Sequence, residues 1–160
     1  IHLKPMLVDR GMDDLAASFV FSSLGTTVVI ARVGTGFLLD RFFAPKLAFI
    51  CILISTIGVV LLSTGAIGTV AFVAAILIGF SIGAELDLLA YLTTRYFGLG
   101  SFGMVYGLLF SGFLLGVSTG PLAFGSSYEI YGSYINILYV AVAVLIATAC
   151  MMLLFPKYRE

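Results

Sequence analysis

The chain has 160 residues, of which 61% are hydrophobic and 10% charged, and its mean hydropathy is +1.19. A soluble domain is about a quarter charged, so this composition excludes a water-soluble globular protein and implies an all-α integral membrane protein with the lipid bilayer as its solvent. Eight basic residues balance eight acidic ones, which leaves no basic stripe to neutralise phosphates and excludes a nucleic-acid partner.

Apolar runs between polar breaks predict five transmembrane helices, at residues 15–39, 47–62, 70–92, 104–124 and 135–155. The runs are long and lack apolar/polar alternation, which favours helices over barrel strands. Ahead of them lie His2, the only histidine, and Lys4 and Arg10 among Asp9, Asp13 and Asp14. The chain opens on Ile1 with no initiator Met and no signal peptide, and with an odd number of spans it reads as a fragment.

The first span carries a lone Arg32. A guanidinium keeps its charge at any accessible pH, and placing one mid-bilayer costs at least about 2.5–3.5 kcal/mol, so Arg32 is a functional-site candidate. Ser18, Ser22, Gly25, Arg32 and Gly36 fall on one helical stripe, small and polar, suited to lining a cavity or meeting another helix. The second span is the shortest and holds Cys51; with Cys150 in the fifth, it reads as a small buried hydrophobe without disulfide or metal partner.

The third span holds the other two deep charges, Glu85 and Asp87. Counted back from Asp40 and Arg95, Arg32 and Asp87 both lie about 12 Å into the membrane and Glu85 about 15 Å, so the three can share one layer. Gly79 and Gly83 form a GxxxG pair whose stripe Asp87 continues, while Glu85 lies about 200° away. The arginine either pairs with a carboxylate so that the bundle can insert, or receives the anionic group of a substrate. A carboxyl held in apolar surroundings can exchange a proton near neutrality, which would couple proton movement to transport.

The fourth span has glycines at Gly103, Gly107, Gly112, Gly116 and Gly120, followed by Pro121. These allow close helix approach, a kink that bends during gating, or both. Pro156 is expected to stop the fifth span. Arg41, Lys46, Arg95, Lys157 and Arg159 share one side of the membrane against Lys4 and Arg10 on the other, so the positive-inside rule puts the N-terminus outside and the C-terminus in the cytoplasm of a cell-membrane protein. No cluster of His, Cys and Asp has metal-ligand spacing, so neither an enzyme nor a cofactor is implied.

Gly36-Phe-Leu-Leu-Asp40-Arg41 resembles the Gly-x-x-x-Asp-Arg loop signature of the major facilitator superfamily, with Phe43-Ala44-Pro45-Lys46 in place of the usual Gly-Arg-Arg/Lys ending. His2-Leu-Lys-Pro-Met-Leu-Val-Asp-Arg-Gly11, Tyr96-Phe-Gly98, Gly120-Pro121 and Tyr128-Glu-Ile-Tyr-Gly-Ser-Tyr134 are similar to the C-terminal half of its monocarboxylate-porter-like members. The resemblance covers nearly the whole chain. It implies that the spans are helices eight to twelve, most of a C-terminal six-helix bundle, whose missing partner is the N-terminal half of the same protein. It also implies secondary active transport of a small organic anion, a monocarboxylate moved with a proton by alternating access. Arg32 would then bind the carboxylate with Glu85 and Asp87 beside it, and Gly36, Asp40 and Arg41 would form a conformational latch. The branch's Asp one turn before this arginine is Val28 here, and the lysine of its oxalate-carrying relatives is absent from the fourth span. Two other functions stay open: transport of a neutral solute or drug with Arg32 structural, and a non-transporting helical membrane component.

Overall fold

The computed structural model describes residues 2–158; Arg159, one of the basic residues counted above, lies outside them. Among the described residues all regular structure is helical, in the order α1 Leu3–Asp9, α2 Asp14–Leu39, α3 Ala44–Ser63, α4 Gly68–Tyr131 and α5 Ile135–Leu153. The last four are long and apolar enough to cross a membrane.

Local chemistry sets the ends. Asp13 caps α2, its carboxylate accepting from the N–H groups of Leu15 at 3.1 Å and Ala16 at 3.4 Å, with Asp14 in the positive first turn. Pro45 sits in the first turn of α3, where no amide hydrogen is needed. Gly132 closes α4 in the left-handed conformation, φ 62°, returning its N–H to Tyr128 at 2.8 Å.

The third and fourth predicted spans lie in the single 64-residue α4. Run straight, it would measure about 96 Å at 1.5 Å per residue, three times a bilayer core. It breaks at Gly98, whose φ of 73° and ψ of 168° divide residues 68–97 from 99–131. The expected connector at 93–103 is therefore helical except at that one residue, and the connector at 125–134 is helical as far as Tyr131. Only glycine enters the Gly98 region without strain. Gly98→Ala is expected to cost about 1–3 kcal/mol, read as a lowered thermal unfolding midpoint; an unchanged midpoint would mean that the break relaxes elsewhere.

Residues 68–97 are clamped on both sides. Gly79 and Gly83 meet α2, and Gly58 of α3 lies on α4 so closely that an added Cβ would stand 2.9 Å from the Ala74 carbonyl oxygen. Small residues here let backbones approach where side chains would hold them apart. α3 also packs against α5, and residues 99–131 are mostly exposed.

α1 was not expected from the sequence. It ties one end of the bundle together: His2 Nε2 to the Pro121 carbonyl at 3.0 Å, Tyr128 donating to Asp9 at 3.0 Å, Arg10 donating to the Ala66 carbonyl at 3.5 Å, and Lys4 paired with Asp14 at 2.9 Å. Burial pulls the Arg10 guanidinium below its usual value and Asp9 pushes it back up, and it stays charged at any physiological pH. At the other end the chain after α5 folds back. The Tyr158 hydroxyl accepts from Ala44 N–H, the first amide of α3, at 3.4 Å, and Tyr96 donates to the Pro156 carbonyl. α5 itself ends at Leu153, before Pro156.

Candidate functional site

The periodicity of α2 sorts its residues onto three faces. Ala17, Val20, Ala31, Thr35 and Leu39 are buried and form the contact side. Leu15, Phe19, Ile30, Val33 and Phe37 are large, apolar and exposed, the chemistry of a lipid-facing surface. Between these lies the small polar stripe, where Ser22, Gly25, Arg32 and Gly36 are exposed and Ser18 is half-buried. An added Cβ at Gly25 or Gly36 would meet nothing within 4 Å, so among the described residues no other helix covers this face there.

Glycine contacts set the register between α2 and α4. A Cβ at Gly79 would stand 2.6 Å from the Leu24 carbonyl oxygen and 3.2 Å from Thr27 Cβ; at Gly83 it would stand 2.5 Å from the Val28 carbonyl oxygen and 2.8 Å from Ala31 Cβ. Both helices advance four residues between these contacts, so they run parallel in a fixed register. The next turn sets Asp87 level with Arg32 and Thr35. The turn after that is closed by Leu39, which with Asp87, Ala90, Tyr91 and Arg95 lines an open cleft of about 500 Å³.

Asp87 is half-buried in the cleft wall, whereas Glu85 is exposed on another face of the same helix. Among the described residues Arg32 forms no ion pair with either carboxylate. The Arg95 guanidinium lies over the Tyr91 ring at 5.1 Å and the Tyr158 ring at 5.7 Å, which binds the C-terminal segment to the cleft rim.

Asp40 caps α2 and Arg41 follows it, both exposed, and among the described residues their side chains bridge to no other helix. The glycines of the fourth span differ from Gly79 and Gly83: Gly103, Gly107, Gly112, Gly116 and Gly120 have no neighbour within 4 Å of an added Cβ, so here they bring no helix close. The step of five positions from Gly107 to Gly112 also turns the helix through about 500°, which moves the later glycines to another face. Pro121 lines an apolar cavity of about 340 Å³ with His2, Met6, Leu24, Ile78 and Phe124, away from the deep charges. Cys51 is buried in the core between α2, α3 and α4, and Cys150 is exposed on α5.

Sequence reasoning missed two residues. His2 stacks on Phe124 with ring centroids 6.1 Å apart while its Nε2 holds Pro121, a contact across 119 positions that no local pattern signals. Thr35 is fully buried and its hydroxyl has no partner among the described residues. Its place on the contact stripe of α2, five residues before Asp40, was the available signal.

A family model described as Major Facilitator Superfamily matches residues 2–160. No curated protein and no solved structure matches the chain.

Proposed function

This chain belongs to the major facilitator superfamily, and from that premise we propose that it forms most of the C-terminal half of a proton-coupled transporter of small organic anions, monocarboxylates above all. The chain is a multi-pass membrane protein of a transporter family. What carries the finer reading is Arg32: a permanent cation about 12 Å from a helix end, on a small polar face that no helix covers, without a carboxylate partner among the described residues. A guanidinium so placed is complete only when an anion reaches it, and its planar fork matches a carboxylate.

Alternating access then has a physical basis in this chain. The uncovered stripe of α2 faces the path, the other half of the protein closes it, and the substrate carboxylate meets Arg32 near the middle of the bilayer. A carboxyl on α4 takes up a proton with the anion, so that the pair crosses without net charge. The Gly36, Asp40 and Arg41 end of α2, unlatched here, is free to bond across helices in another state. The excess of basic residues at that end supports a cytoplasmic location for it in a cell-membrane protein, with the N-terminal end outside.

Uptake by the intact transporter in proteoliposomes tests this. Labelled small monocarboxylates are expected to accumulate faster under an inward proton gradient, and other carboxylates are expected to compete where their neutral amides do not. Equal competition by the amides would remove the anion reading and favour a neutral substrate with Arg32 structural.

A further inference from the structure

Thr35 breaks a pattern that most of the helical threonines keep. Thr27, Thr56, Thr93 and Thr94 each donate to the carbonyl four residues earlier, at 2.7–2.9 Å. Thr35 is as deeply buried as any of them, with 0% exposure, yet its hydroxyl bonds neither to the Ala31 carbonyl nor to anything else. Leaving a buried hydroxyl unpaired costs about 1–3 kcal/mol, and a rotation to the backbone would avoid that cost. A buried hydroxyl left in this state calls for an explanation in the structure around it.

The register between α2 and α4 identifies the partner. Asp87 continues the Gly79–Gly83 stripe into the turn of α2 that carries Thr35, and it lines the cleft together with Leu39, one turn beyond Thr35. Glu85 projects about 200° from Asp87 and cannot share this contact.

We propose that Thr35 is the hydrogen-bond acceptor for the protonated form of Asp87, and that the two make a proton-holding site at the α2–α4 contact. This rests on the proton-coupled reading above and assigns the coupling role to Asp87 rather than Glu85. In the loaded state the Asp87 carboxyl O–H donates to Thr35 Oγ1. Release breaks the Asp87 O–H bond. The electron pair stays on the carboxylate and the proton passes to water in the cleft as hydronium. Thr35 is then left unpartnered, as its hydroxyl is among the described residues here, with Asp87 in the cleft lining.

Charges around the pair come from each neighbouring element. Arg32 stands level on α2, with Asp40 and Arg41 at its end; Glu85, Tyr91 and Arg95 lie on α4 itself. Lys46 and Cys51 on α3, Tyr106 on the second part of α4, and Lys157 and Tyr158 after α5 complete the set. The cations favour release of the proton and the other carboxylates favour its retention.

Infrared difference spectra of the intact transporter, recorded across pH without any substrate, test the pair. The wild type is expected to show a hydrogen-bonded carboxylic acid band that Asp87→Asn removes and Glu85→Gln leaves in place. Thr35→Val, equal in shape but lacking the hydroxyl, is expected to move the band to the position of a free acid. It should also lower its titration midpoint by about half a pH unit or more, the equivalent of one ordinary hydrogen bond. Thr35→Ser keeps the hydroxyl and is expected to keep both band and midpoint, which separates this role from packing. A band and midpoint unchanged in Thr35→Val would overturn the pairing, as would the absence of any Asp87 band. Proton-driven uptake of carboxylates is read separately, so failure of the transport reading and failure of the pair are distinguishable.

Discussion

Arg32→Ala in the intact transporter is expected to reduce anion uptake by at least about a hundredfold while leaving its amount in the membrane unchanged. The argument is one of unpaired charge. The guanidinium has no ion pair with Glu85 or Asp87 and lies on the uncovered face of α2, so alanine leaves no orphaned carboxylate and removes no packed side chain. It also relieves the chain of an insertion cost of about 2.5–3.5 kcal/mol. What is lost is the anion's bidentate partner, and two charge-assisted hydrogen bonds of about 1.5–3 kcal/mol each account for the expected factor. Arg32→Lys keeps the charge without the fork and should recover only part of the activity. Uptake rates at matched protein abundance check both variants, and an Arg32→Ala transporter that works normally would take Arg32 out of the site.

Gly83→Val is expected to destabilise the bundle by about 3 kcal/mol or more, at the upper end of overpacking costs. An added Cβ at this position would stand 2.5 Å from the Val28 carbonyl oxygen and 2.8 Å from Ala31 Cβ. The first of these is backbone and cannot rotate away, so α2 and α4 must separate. Gly83→Ala should show a smaller loss of the same sign, partly restored by Ala31→Gly, because only the Cβ–Cβ clash is relieved. Thermal unfolding of the purified protein reads the series; a wild-type midpoint for Gly83→Val would mean that the helices slide apart at little cost. Separation of α2 from α4 would also displace Thr35 from Asp87, so this variant is expected to lose proton coupling along with stability.

Much of this was legible in the sequence, because lipid-exposed helices obey few and strict rules. The apolar runs, the Gly79–Gly83–Asp87 stripe and the opposed position of Glu85 follow from hydropathy and a period of 3.6 residues. Other features depend on contacts that no local rule encodes. The break at Gly98 leaves the apolar pattern on both sides intact, and Leu99, Gly100 and Ser101 continue as helix where a loop was expected. The short α1 contains Pro5 and two charged residues, and it exists because its ends are tied to α2, the loop at Ala66 and the far end of α4. Glycine spacing alone does not say what a glycine meets: an added Cβ at Gly103 through Gly120 has nothing within 4 Å among the described residues, whereas Gly79 and Gly83 are packed against α2. Thr35 was hidden for a chemical reason: a threonine inside a helix normally satisfies itself on its own backbone, and only its failure to do so marks it.

The pairing of α2 with residues 68–97, and not with α3 beside it in sequence, bears on how the protein is made. As the ribosome feeds the chain into the membrane, α2 enters ahead of α3 and α4 and is the least apolar of the four long helices. Gly79 and Gly83, the residues that dock it, are synthesised only after the whole of α3 has followed. During that interval Arg32 must rest near water or lipid headgroups, and α2 is a guest awaiting its host. The docking of α2 therefore waits on the GxxxG turn of α4, two long helices later in the chain.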